Sequence, residues 1–159
     1  RAEYSELVLR YFAYSECYLN FKKSVKAFLT EFLEEKNENF DNVDTVRLES
    51  EFNTMCSFIE NNFPGGFRKT PKANTVPRIR FEAMAVGATL ALRQKPSLNP
   101  PDVQKWIGSK DFITHTRSDA SNSRPKVKAR IEYVRDKLLG VNPQSIDEIE
   151  KDDVDGEVK

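Results

Sequence analysis

The chain has 159 residues, 38% of them hydrophobic, which is one ordinary domain with enough apolar material for a core. Six glycines are few for a turn-rich all-β fold, and two cysteines, Cys17 and Cys56, do not make a disulfide framework. One histidine, His115, removes most His-based metal sites and His-dependent triads, so no catalytic residue, metal or cofactor is expected.

The formal net charge of zero hides a pattern. Residues 1–63 carry 7 basic and 12 acidic side chains, net −5; residues 64–140 carry 16 and 6, net +10; residues 141–159 carry 2 and 7, net −5. Cysteine usage and the lack of a signal-like segment predict a cytoplasmic protein. The longest apolar run, Ala83 to Leu92, is about half of what a bilayer needs, so no membrane partner is expected. The chain opens on Arg1 rather than Met, which predicts a longer gene product.

Helical periodicity dominates. The first helix runs from Ala2 to about Tyr14, with Leu7, Tyr11 and Tyr14 at helical spacing and a favourable Glu6–Arg10 pair. Ser24 caps a second helix whose stripe is Val25, Phe28, Leu29, Phe32 and Leu33. A third spans about Asp44 to Asn62, buries Leu48, Phe52, Met55 and Ile59, and stops at Pro64-Gly65-Gly66. The fourth, Arg78 to about Arg93, is apolar nearly all round and is therefore expected at the centre. Its Ala83, Gly87 and Ala91 would let another helix approach closely.

Two short helices follow, Asp102 to Ile107 and Ser109 to His115, with Trp106, Ile107, Phe112 and Ile113 inward. A polar loop, Thr116 to Ser123, leads to the last helix, which starts near Pro125 under a Ser123 cap, carries the seam Val127, Ile131, Val134 and Leu138, and ends at Gly140. Tyr18 to Phe21 and Thr75 to Ile79 are the only stretches that suggest a short strand. The reading is a mainly α, compact multi-helix bundle of about six helices over residues 1–140, followed by a flexible, disordered acidic tail, 141–159.

Three stretches, SELVLRYFAYSECYLNFKKSVKAFLTEFL (Ser5 to Leu33), PRIRFEAMAVGATLALRQKP (Pro77 to Pro96) and TRSDASNSRPKVKARIEYVRDKLLG (Thr116 to Gly140), resemble in order and spacing the C-terminal helical part of the DUF 262 family. That family is also described as the GmrSD restriction endonuclease N-terminal domain. The likeness covers roughly residues 1–140. It implies a piece of a prokaryotic DNA-restriction or anti-phage protein, partnered by a nucleotide-hydrolysing N-terminal half. The family's Asp-Gly-Gln-Gln-Arg type motif and its fused HNH-type nuclease signature are not in this sequence, so the resemblance assigns no catalytic role to any residue here.

The basic middle is the strongest functional signal. Arg68, Lys69, Lys72, Arg78 and Arg80 flank the start of the central helix; Arg117, Arg124, Lys126, Lys128 and Arg130 flank the start of the last. Helix N-termini favour anions, and a phosphate backbone suits such a surface. Ser121 and Asn122 are candidate hydrogen-bond donors to phosphate or sugar oxygens, and equally ordinary turn and cap formers. The basic clusters read equally as a solvated face neutralised by the acidic flanks. Glu82, on an apolar helix with Arg78 four residues before it, reads as a paired carboxylate or as an acid of raised pKa. His115 and Trp106 read as packing residues. Three functions stay open: a non-catalytic helical module with DNA as a candidate partner, a pure protein-interaction scaffold, and an enzyme with an unrecognised site.

Overall fold

The computed structural model describes residues 2–22, 24–117 and 122–156. Among them are seven α-helices and no strand: α1 Ala2–Cys17, α2 Val25–Glu38, α3 Thr45–Asn62, α4 Arg78–Gln94, α5 Lys110–Thr116, α6 Arg124–Leu139 and α7 Ile146–Gly156. Both stretches that suggested strands are otherwise: Tyr18–Asn20 is a 3-10 turn, and Thr75 to Pro77 is an irregular lead into α4.

The Ser24 cap and the Gly140 stop form as the sequence placed them, and the structure adds a cap at Asp44. Ser24 accepts from the Ala27 amide at 3.3 Å and Asp44 from the Arg47 amide at 2.9 Å. Gly140 ends α6 at φ 76, a left-handed conformation that costs glycine little, and its N–H returns to the α6 carbonyls. Gly65 and Gly66, at φ 78 and 61, turn the chain away from α3. Ser123 precedes α6 as its N-cap without a side-chain bond, and Pro125 falls in the first turn.

Helix α4 is the axis. Every residue from Arg80 to Thr89 is buried. Helix α1 runs parallel to it, because successive positions on one meet successive positions on the other: Glu6 meets Arg78, Arg10 meets Glu82, Tyr11 meets Thr89, and Ser15 meets Arg93. Helix α6 also runs parallel to α4, since Glu82 meets Arg130 while Gly87 lies under Ile131 and Val134. Helix α3 runs back the other way: Arg47 and Glu51 lie at the C-terminal ends of α1 and α4, and Phe63 reaches Trp106 at 5.9 Å. The N-termini of α1, α4 and α6 therefore share one end of the molecule.

The α4–α6 contact is the most extensive in the fold, and Gly87 makes it possible. A Cβ there would lie 2.6 Å from Val134 Cβ and 2.8 Å from the Ile131 carbonyl oxygen. The small residues of α4 thus do what their spacing suggested, and Ala83 and Ala91 are fully buried beside Gly87. The α2 stripe is narrower than its pattern: Phe28, Leu29 and Phe32 are buried, whereas Leu33 is 43% exposed. Phe28 packs against Tyr14 and Phe21, at 4.9 and 5.5 Å between ring centroids.

Inside the acidic segment after Gly140 the structure adds α7. Ser145 and Glu148 form a capping box: the Ser145 N–H donates to the Glu148 carboxylate at 2.7 Å and the Glu148 N–H to Ser145 Oγ at 3.3 Å. Ile149, 2% exposed, anchors the turn against α6. One apolar residue with a good cap suffices to dock a segment whose composition is otherwise that of a solvated tail.

Gly87→Ala should destabilise the fold by about 1–3 kcal/mol, the usual cost of overpacking, and Gly87→Ala with Val134→Ala should recover part of the loss. Chemical denaturation of the three proteins checks this.

Candidate nucleic-acid interface and the charge ladder behind it

At the shared end of α1, α4 and α6 a row of charged side chains runs from solvent into the core. Arg78 of α4 pairs with Glu6 at 3.3 Å; Glu6 pairs with Arg10 one turn further along α1 at 2.8 Å; Arg10 pairs with Glu82; and Glu82 Oε2 accepts from Arg130 Nη2 at 2.8 Å. Arg130 also donates to the Asn122 side-chain carbonyl at 3.3 Å. Burial deepens along the row. The Arg78 side chain is 52% exposed, that of Arg10 13%, and those of Glu82 and Arg130 1% each.

Two guanidinium groups thus hold one fully buried carboxylate, each on its own oxygen. Burial works against the charge of Arg10, but Glu82 and then Glu6 more than offset it and hold its pKa above the ordinary value. Tyr14 lies in the same environment. Burial, and secondarily the Glu82 charge, raises its pKa, while the nearby Arg130 and Arg10 oppose the rise. The sequence pairs Glu82 with Arg78. The structure gives Glu82 to Arg10 and Arg130 and sends Arg78 to Glu6, because Arg78 sits a full turn nearer solvent. The signal for Arg130 was present: it lies next to Ile131 on the buried seam of α6, where a cation needs a counter-charge.

A second ionic cluster ties the opposite ends of α1 and α4 to α3. Glu16 pairs with Arg47 at 2.7 Å and Arg93 at 2.8 Å; Glu51 pairs with the same two at 3.1 and 2.7 Å. Burial raises the Glu16 pKa, yet the hydrogen bonds and charges of Arg47 and Arg93 outweigh it and leave the carboxyl below its ordinary value.

The candidate phosphate contacts divide into two groups. Arg80 and Arg130 are buried, 7% and 1% exposed, because each lies on the inward face of its helix; neither is part of the outer basic surface. Arg68, Lys69, Arg78, Arg117 and Arg124 are exposed, and Lys126 and Lys128 are half-buried. Arg78, Arg124, Lys126 and Lys128 share the end where α4 and α6 begin. Arg68 and Lys69 join them, since the preceding carbonyl, that of Phe67, accepts from Arg80 Nε at 3.1 Å. Asn122 is exposed, but its carbonyl oxygen is taken by Arg130. Ser121, with residues 118–120 of the same polar loop, lies outside the described residues. Trp106 packs among Phe63, Phe112 and Tyr133, and His115 stacks on Tyr133 at 4.6 Å between centroids.

Among the described residues no group of His, Cys, Asp or Glu is arranged to hold a metal ion, and no helix is long and apolar enough to cross a membrane. Comparison of the chain with protein-family models, curated proteins and solved structures finds no significant match.

Glu82→Leu should cost about 3–5 kcal/mol, because it strands two buried cations. Glu82→Leu combined with Arg130→Met should cost less than the sum of the single changes, and a double-mutant cycle in urea measures the difference. The Glu16 cluster sets an acid limit. A carboxyl whose folded pKa is depressed contributes stability above its unfolded value, 4.5, and that contribution drains away as pH falls through the folded value. Melting temperature should therefore drop below about pH 4.5 in the wild type and drop less in Glu16→Gln, as a pH series of thermal melts would show.

Proposed function

We propose that this chain is a non-catalytic helical module of a DUF 262/GmrSD-like prokaryotic restriction or anti-phage protein. It supports a nucleotide-hydrolysing N-terminal half and contacts DNA phosphates. The resemblance of Ser5 to Leu33, Pro77 to Pro96 and Thr116 to Gly140 motivates the family. The observation that carries the DNA contact is the gathering of Arg68, Lys69, Arg78, Arg124, Lys126 and Lys128 at the one end where α4 and α6 both begin. Positive helix poles and cationic side chains act there in the same direction, toward an anionic polymer. Arg68, Lys69, Arg78 and Arg124 are exposed and Lys126 and Lys128 half-buried, an arrangement that suits contact with backbone phosphates rather than reading of bases.

A second reading, a scaffold that binds only protein, has its own support. Leu9, Val25, Leu29 and Leu33 line an apolar groove between α1 and α2, bordered by Glu6, Arg10 and Lys26, and Leu33 is 43% exposed in it. Such a groove suits an amphipathic helix.

The two readings separate on duplex DNA. The chain should be retained at low salt, with log affinity falling linearly as log salt rises, and Arg124→Glu with Lys128→Glu should abolish retention while leaving the melting temperature near wild type. Absence of retention at low salt, with salt-insensitive binding to an added N-terminal half, would instead establish the scaffold.

A further inference from the structure

Arg80 is a buried cation with no anion. Its residue is 7% exposed, yet no carboxylate pairs with it among the described residues. Burial alone acts on its pKa, and lowers it. By contrast Arg10, Arg93 and Arg130 each have a carboxylate partner. Only Nε of Arg80 is used, in the 3.1 Å bond to the Phe67 carbonyl. Its two amino nitrogens donate to nothing among the described residues, and neither is fully enclosed, so each keeps some contact with solvent. The Phe112 ring lies beneath the guanidinium, 4.9 Å from its carbon to the ring centroid. A ring face offsets only part of the cost of burying a charge.

The group sits in the first turn of α4, and side chains on a helix lean toward its N-terminus. That terminus is uncapped. The Phe81 amide is the first to close an intrahelical bond, on Pro77, and Pro77 supplies no side-chain cap, so the amides of Arg78, Ile79 and Arg80 are free. Every unsatisfied group here is therefore a donor. The guanidinium is held by the Phe67 carbonyl and the Phe112 ring, and the neighbouring Arg68 and Lys69 are exposed cations.

We infer that Arg80, with the free amides at the start of α4, forms a binding seat for one phosphate-type oxyanion. A fork of parallel N–H donors matches two oxygens of such a group, and a helix N-terminus supplies further donors to the others. The inference rests on the phosphate-contact reading above and sharpens it. Within a surface of exposed cations it names a single buried position, held by the Phe67 carbonyl and the Phe112 ring. The phosphate could belong to a DNA backbone or to a small phosphorylated ligand; the chemistry at Arg80 is the same.

The test titrates the chain at constant ionic strength with inorganic phosphate, acetate and a short DNA duplex. It follows the side-chain Nε–Hε resonance of Arg80 and the melting temperature. Phosphate should shift that resonance saturably and raise the melting temperature beyond the chloride control. Arg80→Lys, which keeps the charge and loses the fork, should weaken phosphate binding about tenfold, the scale of one strong charged hydrogen-bond pair. An unmoved Arg80 resonance in the wild type, or equal phosphate affinity in Arg80→Lys, overturns the seat, and the first readout decides even if the variant does not fold. Acetate binding as well as phosphate overturns the assignment in favour of a partner's carboxylate. Duplex retention with an unmoved Arg80 leaves the DNA reading standing without this seat. Phosphate binding at Arg80 without duplex retention keeps the seat, assigns it to a small phosphorylated ligand and ends the DNA reading.

Discussion

A single carboxylate organises one end of this molecule. Three helices, α1, α4 and α6, start side by side, and each brings the positive pole of its dipole, equivalent to about half an elementary charge, to the same place. Arg10 and Arg130 add two full positive charges beneath those poles. Glu82 is the only acid that is fully buried among them. Without it the parallel arrangement would set buried cations against one another in a medium that screens poorly. Its position also fixes register: its two oxygens reach one guanidinium on α1 and one on α6, and the height of α6 is the one that Gly87 allows against Ile131 and Val134. Burial of paired ions yields little net stability, but mispairing is costly, and it is this asymmetry that selects one arrangement of the helices.

The division between buried and exposed arginine follows from the same geometry. Residues 78, 82 and 130 belong to one ladder, and only its outer rung, Arg78, reaches solvent freely. The formal excess of positive charge in residues 64–140 therefore overstates what a partner would meet, since Arg130 is committed to the interior and Arg93 to ion pairs with Glu16 and Glu51. What remains at the surface includes a set around the starts of α4 and α6, together with Lys95 past the end of α4 and Lys105 and Lys110 near the start of α5. The chain's acidic excess lies elsewhere, with Glu31, Glu34, Glu35 and Glu38 exposed along α2 and Asp147, Glu148 and Glu150 along α7.

How much of this was legible in the sequence depended on whether the determining contact was local. The cap at Ser24 and the stop at Gly140 act within a few residues, and they fell where pattern placed them. The centrality of α4 was legible because an all-round apolar helix has only one stable place to go. The close approach at Gly87 was legible as a possibility, though not as a contact with α6 in particular. Glu82 was not legible as a bridge, because its partners stand 72 residues before it and 48 after it, while Arg78 offered a plausible pairing at helical distance. The α7 helix had a local signal, Ser145 followed by Glu148 and Ile149, which the surrounding run of acids obscured.

The same distinction explains why a charge count locates the candidate surface but not its most specific point. Exposed cations such as Arg68 and Lys69 signal through composition, and composition is additive along the chain. Arg80 differs from them only in what surrounds it: a carbonyl, an aromatic face and free helix amides, with no acid among them. None of those can be counted from the residues near position 80, since Phe112 comes from α5, beyond the far end of α4, and Phe67 from the loop before it. A buried donor set left open on one side is a property of the assembled fold. It therefore says more about what the fold is prepared to receive than the larger number of charges that merely lie on its surface.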